Sequence, residues 1–407
     1  MLSICLNMIV KNESEVIVQT LENIIQHLPI HYWVISDTGS TDNTVELIQS
    51  FFAQYQIQGE VFHDVWQDFA HNRNLALAYC EGKSDYIYIS DADDRLTGEL
   101  KLPELHADAY ELRMCAATRE FYFYKKLLLR NNQSFKWVGV LHEALVATQS
   151  NLQVNRIVGD YFVRVGHFGH RSQDPVKHLK DAKLLENAFK HESDPALKAR
   201  YAYYCGCSFH DAAEHRLAIE WYLRRIEIGR INGEELWLSY LYLGMQFEIL
   251  QDFAQAKYYW LKGYDAFPDR AECLYHVIRI SADQQQFHVA SHFLDIALKI
   301  NMPQQGESIE RNVYIYGLRY ESARVNLALD RVQNAFSDLM QLIILEPHSQ
   351  YLCQLMINSL LVCLQKNVQV ENVELNLILT RIQFFQRSYP LLAQVDTLEA
   401  QLNLLSH

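Results

Sequence analysis

Apolar positions in the first hundred residues come as short continuous runs, separated by stretches with helical spacing. Ser3 to Val10 is rich in Ile, Leu, Val and Met and stops at the polar Lys11-Asn12-Glu13, which predicts a buried strand. Val16, Leu21, Ile24, Ile25 and Leu28 then repeat with helical period, and Pro29 ends the segment. His31-Tyr32-Trp33-Val34-Ile35-Ser36 predicts a second strand, and Val45, Leu47, Ile48 and Phe52 a second helix. Val61-Phe62-His63 is a third strand candidate and Asn74 to Tyr79 a third helix. Asp85 to Ser90 gives a fourth strand, running directly into Asp91-Ala92-Asp93-Asp94. This alternation implies a parallel sheet covered by helices on both faces.

The rhythm changes between roughly Tyr110 and Val165. Tyr110–Met114, Lys126–Arg130 and Asp160–Val163 read as strands with little helix between them, a mixed continuation of the same sheet. From about Asp174 the strand signal ends and helical segments recur, with small alanines ahead of helix-ending prolines. Ala256 precedes Pro268 by 12 residues, Ala290 precedes Pro303 by 13 and Ala335 precedes Pro347 by 12. Ala256 and Ala290 are 34 residues apart, the tetratricopeptide period, although Ala218–Ala256 is 38 and Ala290–Ala335 is 45. A small residue lets paired helices approach, and aromatics such as Tyr222, Tyr258, Tyr259 and Phe293 fall at comparable places to fill the grooves between them. The expectation is an α/β domain over residues 1–172 and an all-α solenoid of helical hairpins over 173–407, with a plain helical bundle as the alternative.

Composition narrows the function. With 407 residues, 49% hydrophobic and 21% charged, the chain is sized for two or three globular domains. A formal charge of −13 argues against a nucleic-acid partner, yet leaves open a nucleotide ligand whose phosphates need only one local metal or arginine. The apolar N-terminus is short and lacks a basic region, so it reads as a strand and not as a signal peptide. No apolar run approaches the roughly 18 residues of a membrane span. Eight scattered cysteines without metal-ligand spacing fit reduced thiols in a cytoplasm.

Candidate chemistry collects where the predicted strands end. Asp91 and Asp93, one residue apart after an apolar strand, offer hard oxygen ligands of the kind magnesium or manganese takes together with substrate phosphates. The competing reading is a solvated acidic turn. Asp37-Thr38-Gly39-Ser40-Thr41-Asp42 also follows a strand and opens a helix; Asp37 suits a base or ribose, and the competing reading is a capped turn. Arg73, at the beginning of the third helix, suits a diphosphate beside a helix N-terminus, against a plain surface ion pair. The aromatic side chains of the helical half, among them Tyr201, Trp221, Trp237 and Trp260, read mainly as core.

In this order and spacing, Ile9-Val10-Lys11-Asn12-Glu13, Asp37 to Asp42, Asp68 to Asn74 and Ser90-Asp91-Ala92-Asp93-Asp94 resemble the family-2 glycosyltransferases with a GT-A (Rossmann-like) fold. The flavours with tetratricopeptide-like tails, sublancin-type peptide glycosyltransferases and lipopolysaccharide-core glucosyltransferases, are the most similar. The resemblance covers about the first 170 residues by motif and the remainder by architecture. It implies an inverting, metal-dependent transfer from a nucleotide-sugar, in the first place a UDP-sugar, to a protein, peptide or glycan acceptor. It implies Asp37 at the nucleoside, Asp91 at ribose or metal, Asp93 at the metal, and Asn12 and Glu13 in the first donor loop. Many members carry two consecutive aspartates where Asp37-Thr38 stands here. The resemblance further points to Glu143 in Trp137-Val138-Gly139-Val140-Leu141-His142-Glu143 as general base, with His142 orienting it or touching phosphate, and to His167 as an additional metal ligand. The helical part would present the acceptor or mediate self-association into a homo-oligomer. The rival classes are an inactive tetratricopeptide scaffold and a sugar nucleotidyltransferase. Against the latter, a Gly-rich basic loop is missing after the first strand, where the chain reads Lys11-Asn12-Glu13-Ser14-Glu15.

Overall fold

The computed structural model describes residues 2–115, 122–166, 174–303, 309–345 and 349–405. Among these residues eleven strands are seen: β1 (Ile4–Val10), β2 (Ile30–Asp37), β3 (Gln58–His63), β4 (Tyr86–Ile89), β5 (Arg95–Gly98), β6 (Ala109–Cys115), β7 (Tyr122–Arg130), β8 (Phe135–Val138), β9 (Ala144–Ala147), β10 (Val154–Arg156) and β11 (Tyr161–Arg164). Nine of them form one sheet in the order β3-β2-β1-β4-β7-β6-β11-β5, with β10 beside β6, while β8 and β9 pair as a separate hairpin. β1 runs parallel to both β2 and β4, and β2 is parallel to β3. β7 is antiparallel to β4 and to β6, which makes the remainder a mixed sheet.

Period-2 alternation explains how so apolar a strand as β1 sits between two layers. Ile4, Leu6, Met8 and Val10 point into one core, joined by Tyr86 and Tyr88 of β4 and by Ile17, Leu21 and Ile24 of helix α1 (Ile17–His27). Ile48 and Phe52 of helix α2 (Thr44–Gln54) complete that layer, with Phe52 stacked on Trp33. Each fully buried side chain of this size contributes about 1.5–3 kcal/mol. Cys5, Ile87 and Ile89 face the other way, against Ala70 of helix α3 (Phe69–Ala78) and Trp137 of β8. The predicted third helix begins earlier than its apolar residues indicated, because Asp68 caps it by accepting from the His71 N–H at 2.8 Å.

Among the described residues the predicted helical half holds helices and no strand: α4 (Lys177–His191), α5 (Pro195–Asp211), α6 (His215–Ile228), α7 (Gly233–Ile249), α8 (Phe253–Ala266), α9 (Glu272–Asp283), α10 (Phe287–Ala297), α11 (Leu318–Ala328), α12 (Val332–Ile344), α13 (Gln350–Gln365), α14 (Asn372–Ser388) and α15 (Val395–Leu405). Ala218, Ala256, Ala290 and Ala335 each fall at the fourth residue of α6, α8, α10 and α12, and all four are fully buried. A left-handed residue lies two positions ahead of each of these helices, at Ala213, Gln251, Gln285 and Asp330. Pairing is tight: a Cβ on Gly206 of α5 would come within 2.7 Å of the Tyr222 ring of α6. Most of the aromatics expected in the core are there, with Tyr201, Trp221, Tyr222, Trp237 and Trp260 buried, whereas Tyr258 is exposed. No helix among the described residues is long and apolar enough to cross a membrane.

The chain divides into two compact units at Gln246/Phe247. The first holds the sheet, α1 to α6 and most of α7. The second holds α8 to α15, with cores around Ala290 and Leu294 and around Phe336 and Leu339.

Candidate active site

The connection order reverses at β1, whose neighbours are β2 on one side and β4 on the other. Helical crossovers therefore leave a crevice at the carboxyl ends of these strands, where open α/β sheets place ligands. The loops after β1, β2 and β4 bring Lys11-Asn12-Glu13, Asp37-Thr38 and Asp91 to Asp94 to this one edge. A cavity of about 420 Å³ lies here, lined in part by Val10, Glu13, Thr38, Trp66 and Phe69.

The first two loops lock each other. Asn12 has φ +57°, and its Oδ1 accepts from the Thr41 N–H at 2.8 Å while its own N–H donates to Ser40 Oγ at 2.9 Å. The Glu13 N–H donates to Thr44 Oγ1 at 2.8 Å. Asp37 is buried; its Oδ1 accepts from the Ser40 N–H at 3.1 Å, and His63 Nδ1 lies 3.3 Å from its Oδ2. In this conformation the Asn12 carboxamide oxygen and the Asp37 carboxylate shape the loops of the crevice.

Arg73, Asp91 and Glu143 form one connected group. Arg73 is 7% exposed, and its guanidinium donates through Nη2 to Asp91 Oδ1 at 2.6 Å and through Nε to Glu143 Oε1 at 2.7 Å. It also lies over the Trp137 ring, 5.1 Å from the centroid. Burial alone would lower the Arg73 pKa, but the Asp91 and Glu143 charges raise it, so the guanidinium stays charged. The flanking asparagines fix its position. Asn72 accepts from the Gln67 N–H and donates to the Val65 carbonyl, and Asn74 pairs with both the N–H and the carbonyl of Trp137. Arg73, the arginine expected at a diphosphate, thus bridges Asp91 and the β8–β9 turn in this structure.

The three acidic side chains of the cluster occupy different environments. Burial works against the Asp91 charge, but Arg73 and then Lys125 hold the carboxyl down to about 2. Its side chain remains 40% exposed, so solvent screens part of that attraction. Asp94 is buried and pushed up to about 7 by desolvation and then by the Asp91 charge, with the Gly166 N–H drawing it back down from 3.1 Å. Asp93 is half-buried and packs on Gly166, where a Cβ would sit 2.2 Å from Asp93 Cγ. Gly166 was not singled out in the sequence; its place directly before His167 was the available signal. His167 itself lies outside the described residues.

Among the described residues no three His, Cys, Asp or Glu side chains gather as a metal-holding group. Asp91, whose Oδ1 accepts from Arg73, and Asp93 are carboxylates of the donor type that a magnesium or manganese ion takes together with substrate phosphates and water.

Glu143 and His142 sit in the turn joining β8 to β9, not on a strand. His142 has φ +49°, its ring stacks on Tyr204 of α5 at 4.1 Å, and its carbonyl accepts from Arg200 Nε at 2.9 Å. A second cavity of about 720 Å³ opens beside Glu143, lined also by Tyr124, Lys125, Trp137, Arg200 and Tyr204.

Residues 5–172 match the family model Glycosyl transferase family 2. The chain therefore carries a family-2 glycosyltransferase domain and is an enzyme of that class. Among solved structures, S. aureus TarS 1–349 in complex with UDP-GlcNAc is similar at 13% identity over 64% of this chain and 83% of that one, with a TM-score of 0.34. A tetratricopeptide repeat protein from Parabacteroides merdae ATCC 43184 is similar at 11% identity over 56% of this chain and 92% of that one, TM-score 0.37. The APC/C hetero-tetramer Cut9-Hcn1 is similar at 18% identity and TM-score 0.38, covering 56% of this chain but only 39% of that one. TM-scores this low do not bear on what the chain does.

Proposed function

We propose that the enzyme moves a sugar, with inversion, from a UDP-type nucleotide-sugar held over the ends of β1, β2 and β4 to a protein, peptide or glycan acceptor entering beside Glu143. The observation that carries this reading is the Arg73 bridge, which sets a carboxylate of the acceptor-side turn and one of the donor-side cluster on a single buried guanidinium. Asp37 takes the nucleoside, with Asn12 and Glu13 shaping the loop over it. Asp91 and Asp93 are the residues that would hold a divalent cation. That ion would neutralise charge on the departing diphosphate.

Glu143 takes the acceptor hydroxyl proton through Oε2, the oxygen that Arg73 leaves unengaged, as the acceptor oxygen bonds to the anomeric carbon. The anomeric carbon–oxygen bond to the diphosphate breaks on the opposite face, and the electron pair leaves with the nucleoside diphosphate. His142 stays beside the base, and His167 is an additional candidate ligand.

The helices after residue 173 present the acceptor or join two copies, a reading supported by their hairpin architecture. A cytoplasmic setting is part of this reading, carried by eight cysteines scattered along the sequence without metal-ligand spacing.

The test is release of nucleoside diphosphate from a panel of UDP-, GDP- and dTDP-sugars, with manganese and then with a chelator. Manganese-dependent UDP release that Glu143→Gln lowers by roughly 10²- to 10⁴-fold is expected. No release from any donor would mean a scaffold, and release equal with and without chelator would remove the cation.

A further inference from the structure

The turn that carries Glu143 is an isolated one. Among the described residues β8 and β9 pair only with each other, so no backbone pairing with the main sheet fixes the turn at residues 139–143. Its polar backbone groups are met from outside. The Phe69 N–H at the head of α3 donates to the Val140 carbonyl at 3.3 Å. From the opposite side come three residues of α5: the Val140 N–H donates to Tyr201 Oη at 3.3 Å, Arg200 Nε donates to the His142 carbonyl at 2.9 Å, and the Tyr204 ring stacks on the His142 imidazole with planes 10° apart.

Arg200 is itself fixed. Its guanidinium lies 4.8 Å from the Tyr204 centroid and is ion-paired to Glu235 of α7, a carboxylate only 11% exposed at its side chain. These contacts converge on the one non-glycine residue of the turn with a left-handed backbone, His142 at φ +49°, a conformation that costs about 1–2 kcal/mol for an L-residue and persists only where the surroundings impose it. The next residue is Glu143. Relaxation of His142 to negative φ would swing the Glu143 Cα–Cβ bond away from Arg73 and out of the crevice.

We infer that Arg200 and Tyr204 of α5 are positioning residues for Glu143: they hold the His142 turn in its left-handed form and thereby aim the carboxylate. The first helical hairpin is then part of the catalytic unit, although it lies beyond the stretch that matches the family model. This rests on Glu143 being the general base.

The experiment uses the full chain and the donor of the panel above that it hydrolyses with manganese. Displacing a reacting group by ~1 Å costs on the order of 10²-fold. Arg200→Ala and Tyr204→Ala should therefore lower kcat roughly 10- to 100-fold with the donor KM within about threefold, because the donor loops are untouched. Tyr204→Phe keeps the stacking ring and should restore kcat; Arg200→Lys, which lacks the planar fork, should restore it only in part. Circular dichroism melts of each variant separate misplacement from unfolding.

The decisive comparison is the double variant. Acting through Glu143, Arg200→Ala should add little to the loss already caused by Glu143→Gln. Multiplication of the two losses, or full kcat in folded Arg200→Ala and Tyr204→Ala, overturns the positioning role. Glu143→Gln with full activity, or no hydrolysis of any donor by the unmodified chain, overturns the base assignment beneath it.

Discussion

Arg73 donates to Glu143 at 2.7 Å, although the two residues are 70 apart in the chain and on different elements. The same guanidinium holds Asp91 at 2.6 Å, so the candidate base and the candidate donor ligand are spaced by one rigid plane. Removing it leaves two carboxylates facing each other across a largely buried position. Arg73→Ala should cost about 2–4 kcal/mol, towards the lower end because Asp91 is partly solvated, and should abolish nucleotide release. Arg73→Lys should recover stability in part and activity hardly at all, since one ammonium cannot reproduce both bonds in one plane. Urea titration with parallel release assays checks this; full activity in Arg73→Lys would sink the idea of a rigid spacer.

Asp93 and Gly166 should separate binding from folding. Asp93→Ala removes one of the two oxygen donors at a half-buried position, so metal-dependent donor binding should fall while stability changes by about 1 kcal/mol or less. Gly166→Ala keeps both carboxylates but drives a methyl group against Asp93, which should cost about 1–3 kcal/mol and weaken the same binding. Calorimetric titration of UDP with and without manganese reads both variants. Unchanged binding in Asp93→Ala would move the cation site elsewhere.

Ala290 is fully buried at the fourth residue of α10, in a core with Leu274 and Ile278 of α9. Ala290→Leu should overpack this contact and lower stability by about 1–3 kcal/mol without touching donor hydrolysis. Thermal melting detects it; a neutral result would mean that the helices have room at that position.

His276 offers a pH test. It is buried against Trp260, with centroids 4.9 Å apart, and burial followed by the Arg279 charge pushes the imidazole from its ordinary 6.5 down to about 3. The folded chain therefore carries it neutral, whereas the unfolded chain protonates it near 6.5. Its contribution to stability is fully present above about pH 6.5 and is lost progressively as pH falls toward 3. His276→Gln should flatten the difference between denaturation midpoints at pH 7 and pH 4.5. An equal acid sensitivity in both chains would place that sensitivity in other groups.

The legible parts of this protein were those governed by near neighbours in the chain. β1, β2 and β4 read as continuous apolar runs because parallel strands are buried on both faces, and the acidic residues after β4 followed from where such a run ends. The helical half was legible from alanines at one fixed place in alternate helices, α6, α8, α10 and α12. The strands β5, β8, β9 and β10, of three or four residues each, were not read from the sequence. Gly166 escaped because its constraint is the Asp93 side chain, 73 positions upstream.

By itself, then, the sequence determined the strand and helix periods, the loops at the sheet edge and the residue types they carry, since these follow from local backbone geometry and apolar patterning. Only the tertiary structure decided that Arg73 spends its guanidinium on Asp91 and Glu143, and that α5 grips the turn before Glu143. A charge selects its partner by distance after the chain has closed, and the number of carboxylates within reach of one arginine is not a property of its neighbours in sequence.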